Sequence, residues 1–166
     1  MDIERLFIDS ANNVDYLISC VSDIPDPECY TSPAEGKWSI HQIMEHLHKT
    51  ELAILSLCTG EGVHTDRSPF DNILKFRNAF SDHTKRYESA DFFMPTGTRQ
   101  TIHQLSRGIK ATRLKLLEDG KQKGWSEVFE QFPHPFAGAM TRFEWAYFNV
   151  YHVDRHTHQI REIKLA

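Results

Sequence analysis

The stretch TRFEWAYFNVYHVDRHTHQIREI, running from Thr141 to Ile163, decides how the rest of the chain is read. Thr141 and Glu144 have the T-x-x-E spacing of a capping box, in which hydroxyl and carboxylate each accept the other's backbone N–H, and Met140 and Trp145 stand in the flanking staple positions. Beyond that start, Thr141, Trp145, Phe148, His152, His156, Gln159 and Ile163 fall on a stripe less than about 100° wide at 3.6 residues per turn. The pattern predicts a long helix with this stripe packed inward. It carries two histidines four residues apart, whose Cβ atoms lie roughly 6 Å apart on one face, within reach of a single metal ion.

Other segments repeat the helical period. Ile3, Leu6, Phe7, Val14, Leu17, Ile18 and Val21 predict a helix that ends before Pro25-Asp26-Pro27. Ser39 with Gln42, and Trp38 with Ile43, mark the start of a second helix running to Cys58 or Thr59, before Gly60. Ser68-Pro69-Phe70-Asp71 opens a helical segment expected from Pro69 to about Glu88. Ile102 to Leu117 forms another amphipathic stretch, closing at Gly120. Lys121 to Ala139 reads as loop, with a short helical turn over Ser126–Gln131. With no stretch alternating at period two beyond four residues, no sheet is expected. The reading is an all-α bundle, one domain over residues 1–166, with short helical segments in its connecting loops.

The net charge of -4, with no basic run longer than two residues, provides no field for nucleic acid or an anionic membrane surface. A charged start without an apolar core to follow, and no apolar window near 18 residues, predict a cytoplasmic protein. Cys20, Cys29 and Cys58, odd in number and widely spaced, read as reduced thiols.

Burying two imidazoles on one stripe costs a few kcal/mol unless their nitrogens find partners. A shared metal satisfies both, since neutral imidazole ligates zinc, nickel, iron or copper; the alternative is a pair of hydrogen-bonded core histidines. Of His41, His46 and His48 on the second helix, His46 lies at the edge of the apolar face and is the best third ligand, while His41 and His48 read as surface residues. His64, His83, His103, His134 and His158 show no mutual arrangement and read as surface or supporting groups. Gln159 could serve a ligand or be a satisfied core amide. Trp38, Trp145, Phe148 and Tyr151 read as core and rim. No nucleophile elbow, P-loop, dinucleotide fingerprint or H-E-x-x-H is present.

Taken in order, Trp38-Ser39, His46-Leu47, Pro135-Phe136-x-Gly138-x-Met140-Thr141, Glu144-Trp145 and His152-x-x-x-His156-x-x-Gln159-Ile160 resemble the DinB/YfiT-like superfamily of metal-dependent enzymes. The resemblance implies a four-helix bundle, a homodimer in many members, and a divalent metal held by residues matching His46, His152 and His156. It further implies transfer of a low-molecular-weight thiol such as bacillithiol, mycothiol or glutathione, or an isomerisation using one, with other members described as hydrolases; it implies no DNA polymerase activity. Many members carry a histidine where this chain has Arg155, so no particular reaction transfers. The expectation is Zn²⁺ or Ni²⁺ in an open three-histidine site, with thiol S-transfer first and metal-assisted hydrolysis second. The competing expectation is a non-catalytic metal- or ligand-binding stress-response protein.

Overall fold

The computed structural model describes residues 2–85, 87 and 89–165. In chain order they form α1 (Ile3–Val21), α2 (Asp26–Cys29), α3 (Ile40–Thr59), α4 (Ile73–Ser81), a 3₁₀ turn (Asp91–Phe93), α5 (Ile102–Lys123), β1 (Val128–His134), β2 (Gly138–Thr141) and α6 (Arg142–Leu165). The long helices α1, α3, α5 and α6 make a four-helix bundle in which α1 and α3 each pack against both α5 and α6. Among the described residues no helix is long and apolar enough to cross a membrane.

Local chemistry sets the helix starts. Ser39 Oγ accepts Gln42 N at 3.2 Å while Gln42 Oε1 accepts Ser39 N at 2.9 Å. Thr141 and Glu144 make the same exchange at 3.1 and 2.8 Å. A third box, Thr101 with Gln104, opens α5 and was not read from the sequence. Each cap satisfies N–H groups that the helix leaves without partners.

Side-chain pairs give the helix directions. His41 meets the Gln100 carbonyl, the Glu51 carboxylate meets Arg113, and Lys123 meets the Thr59 carbonyl, so α3 and α5 run parallel. They approach closely where a Cβ on Gly108 would lie 2.4 Å from His48 Nε2. Cys58 with Arg142, Glu51 with Asn149 and His46 with His152 make α3 and α6 antiparallel. Parallel neighbours need a long connection; residues 60–101 supply it, placing α4 against α6 and the 3₁₀ turn against α3.

The apolar interior forms two clusters, one around Leu6, Ile54, Phe76, Leu116 and Phe143, the other around Leu17, Ile43, Leu47, Ile109 and Val153. Polar side chains from all four long helices also meet inside. Arg113 pairs with Glu51 through two 3.1 Å contacts from Nε and a shorter one from Nη2; Asn149 Nδ2 donates to Glu51 at 3.1 Å, and Asn13 Oδ1 accepts from Arg113 at 3.4 Å. Arg113 and Glu51 are 2% and 1% exposed, so neither charge has water as an alternative partner.

Three expectations are corrected. A small antiparallel hairpin exists: β1 pairs with β2 through Val128–Thr141, Phe129–Met140 and His134–Gly138, with an irregularity between Phe129 and His134, where a loop and a helical turn over Ser126–Gln131 were expected. Val63 adds a bridge to Val128, 2.8 Å in each direction. The segment expected from Pro69 is helical only over Ile73–Ser81, because Asn72 N donates to the Glu144 carboxylate at 2.8 Å and Thr141 Oγ1 donates to the Pro69 carbonyl at 3.0 Å; its expected end, Glu88, lies outside the described residues. Finally, α5 continues through Gly120 to Lys123 and is capped by Gly124 at φ +88°. The three cysteines are buried, and burial pushes the Cys58 thiol up to about 12.

Arg113→Met should strand the Glu51 carboxylate in the core and destabilise the protein by about 3–5 kcal/mol in urea unfolding. Adding Glu51→Leu should recover most of that loss; a double variant no more stable than Arg113→Met would show that the pair is not the source of the cost.

Candidate metal centre

His152 and His156 lie one turn apart on α6, and His46 faces them from α3. The Nε2 atoms of His46 and His156 are each 3.1 Å from His152 Nε2, and one ring nitrogen from each of the three falls within 4.8 Å of the others. The outer nitrogens of two rings are occupied. His46 Nδ1 donates to the Phe93 carbonyl at 3.0 Å, and His156 Nδ1 to Gln159 Oε1 at 3.0 Å. A neutral imidazole carries one N–H, so these two bonds leave both Nε2 atoms as bare lone pairs directed at His152.

His152 Nε2 can offer a proton to only one of them, so at least one 3.1 Å contact is left without a hydrogen bond. Protonation is no remedy. Burial lowers the His46 and His152 pKa values, His152 well below its usual range with its two neighbours adding to the effect, and takes His156 to about 3. A cation among the three nitrogens satisfies all of them at once. With metal–nitrogen bonds of about 2.0–2.1 Å, ligand nitrogens stand about 2.8–3.4 Å apart for bond angles between 90° and tetrahedral, a range that includes both 3.1 Å spacings. The three histidines can therefore hold a metal ion.

Surrounding groups fix the rings. The Trp38 ring lies 5.0 Å from that of His46 and 6.4 Å from that of His156; Phe148 stacks on His152 at 5.3 Å. The loop just after the Phe93 carbonyl that meets His46 is held by Glu45. The Glu45 carboxylate, 2% exposed, accepts Thr96 N and Oγ1 at 2.9 Å, Gly97 N at 3.1 Å and Thr98 N at 3.2 Å, and pairs with Lys49 at 3.1 Å. Gly97, at φ +77°, lets the loop turn its N–H groups inward. Burial pulls the Glu45 pKa upward, but the hydrogen bonds from Thr96 and Thr98 outweigh it and hold the group at about 2.

The histidines open onto a cleft of ≈ 1070 Å³ bounded by α3, α6, the hairpin and the 60–101 connection. Arg155 ties that connection to α6: Nη1 donates to the Asp82 carbonyl at 2.9 Å, Nη2 to the Lys85 carbonyl, and the guanidinium lies over Tyr87. At its other end, Arg67 makes a bidentate pair with buried Glu144 at 2.8 and 2.7 Å.

The remaining histidines part from expectation in places. His41 is buried, not superficial, stacked on Tyr30 and bonded at 2.8 Å to the Gln100 carbonyl. His48 is half-buried against Gly108. His83 and His158 stack on each other at 3.9 Å. His134 lies in the cleft wall among Phe76, Phe136, Trp145 and Phe148. Only a fold brings Glu45, Arg67 and Phe93 to their partners; no local spacing announces them.

A helical bundle with three convergent histidines beside an open cleft is a class of metal-site architecture that recurs in enzymes. The DinB superfamily matches this chain over residues 12–160, and the chain belongs to that superfamily. No curated protein and no solved structure matches the chain.

Glu45→Gln should weaken Co²⁺ or Zn²⁺ binding about tenfold in competition with a chromophoric chelator while the helix content stays the same; unchanged affinity would remove Glu45 from the support of His46. A second prediction concerns acid. Burial lowers His134 to about 4, whereas the unfolded chain takes up that proton near 6.5. As pH falls from about 6.5 to 4 the unfolded state gains a proton that the folded state refuses, so stability is lost through this window. His134→Gln should make the urea midpoint fall less steeply across it, and an unchanged slope would count against this assignment.

Proposed function

We propose that His46, His152 and His156 bind Zn²⁺ or Ni²⁺ and that the protein is a metal-dependent enzyme transferring a low-molecular-weight thiol to an electrophile. The observation that carries the reading is the convergence of three Nε2 atoms, two with their outer nitrogens already committed to Phe93 and Gln159. The cluster among the described residues has three members, and it faces a cleft; three protein donors with free positions mark catalytic sites, whereas four close a structural one. A divalent cation held there favours thiolate over thiol near neutral pH. In the reaction the thiol releases its S–H proton to solvent, the sulfur forms a bond to the electrophilic carbon, and the leaving group departs with its electron pair.

The chain's own part is positional. The Phe93 carbonyl and Gln159 fix two donors, Trp38 and Phe148 hold the ring planes, and the cleft admits both reactants beside the histidines. The three neutral imidazoles add no negative charge, so a thiolate is attracted to the site without competition from a protein carboxylate.

His156→Ala should fall below about one tenth of the parent's metal content after dialysis, read by ICP-MS, since one of three donors is lost; full retention would sink the assignment. The Co²⁺-substituted parent should change its d-d spectrum on adding glutathione and should conjugate the thiol to 1-chloro-2,4-dinitrobenzene. A spectrum indifferent to thiol, with ester hydrolysis in its place, would replace transfer by hydrolysis.

A further inference from the structure

We infer that the cleft contains an aromatic slot which binds a flat, apolar aromatic molecule; identifying that molecule as the electrophile rests on the function proposed above, while the slot rests on the rings themselves. Four rings form a continuous series ending on a histidine of the cluster. Phe92 lies 6.0 Å from Phe132, Phe132 6.3 Å from Trp145, Trp145 5.5 Å from Phe148, and Phe148 stacks on His152 at 5.3 Å. All of these residues line the cleft.

The two outer rings are exposed, 58% at Phe92 and 42% at Phe132, and the two inner ones buried, 2% at Trp145 and 8% at Phe148. The series therefore runs from solvent to the histidines. Single exposed apolar residues are ordinary on protein surfaces, but exposed rings gathered at the mouth of a cleft mark a binding site. The rings come from three separate parts of the chain, the 3₁₀ turn, β1 and the first half of α6, and none of the four is charged. The charged lining residues Lys37, Lys85, Arg155 and Glu162 belong instead to the segment before α3, the connection after α4 and the second half of α6. The indole N–H of Trp145 is buried and has no hydrogen-bond partner among the described residues. The cleft volume of ≈ 1070 Å³ leaves room for a multi-ring molecule, being at the upper end of the usual range for small-molecule sites.

The test uses N-phenyl-1-naphthylamine, a neutral aromatic probe whose fluorescence rises in apolar surroundings, titrated into the full chain with and without bound metal. It should bind at about one per chain, and Phe132→Ala and Phe92→Ala, both at exposed rings that leave the core intact, should each weaken the Kd roughly fivefold. Metal content should stay at the parent level in both variants. His156→Ala should keep probe binding while losing metal, so failure of the metal reading and failure of the slot give different results. Absent binding, or a Kd unchanged in both ring variants, would overturn the proposal. So would a parent dimer that excludes the probe and dissociates on Phe132→Ala, since a second copy of the chain would then cover the rings.

Discussion

Two parallel neighbours cannot be joined by a short turn, and this constraint on α3 and α5 organises the rest of the molecule. The pairs His41–Gln100 and Glu51–Arg113 fix their common direction, so the chain leaving Thr59 must return the length of α3, about 30 Å for 20 residues, before α5 can begin. Residues 60–101 make the return along the side of the bundle where α3 and α6 face each other. A groove that would otherwise lie open between two helices thus gains a third wall. The histidines sit at its base.

The connection seats Ile73, Phe76 and Phe80 in the core, and charged side chains hold the stretches on either side of them. Glu144 fixes its beginning through Arg67 and Asn72 N, Arg155 fixes its middle through two carbonyls, and Glu45 fixes its end through three backbone N–H groups. Each anchor sits on α3 or α6, the helices that carry the histidines. The last of them continues directly into the site, because the loop that Glu45 holds presents the Phe93 carbonyl to His46. Packing of the connection and orientation of a candidate ligand ring are one arrangement.

The parts of this design that depend on spacing within a helix were legible in the sequence. Ser39–Gln42 and Thr141–Glu144 cap as their spacing requires, and the His152–His156 pair lies on the stripe that the period of α6 defines. His46 was reached from the same periodicity on a second helix. Residues whose roles arise across the fold were not. His41 reads as solvated because Gln42 follows it, yet Tyr30 and Gln100, from distant loops, bury it. The hairpin was invisible because neither strand alternates: Val128–Phe129 and Met140–Thr141 are buried in succession and the residues between them are more exposed, with no two-residue turn to announce it. The N-terminal half of α6 is buried on nearly every side, which erases the amphipathic contrast that periodicity relies on.

The distribution of buried carboxylates bears on the chemistry. Glu45, Glu51 and Glu144 are each 2% exposed or less, and each is committed elsewhere: to the Thr96–Thr98 backbone and Lys49, to Arg113 and Asn149, and to Arg67 with two backbone N–H groups. Asp154, two residues from His152 and His156 in sequence, accepts from Asn13 on α1. The candidate ligand set is thus three neutral imidazoles, in contrast to sites where a carboxylate joins two histidines and cancels part of the cation's charge. A divalent ion held by such a set would meet no protein carboxylate to offset its charge, in a partly desolvated cleft where electrostatic attraction is stronger than in water. An anion would complete it best, and a thiolate from a thiol or a hydroxide from water, each formed by loss of one proton, would meet that requirement.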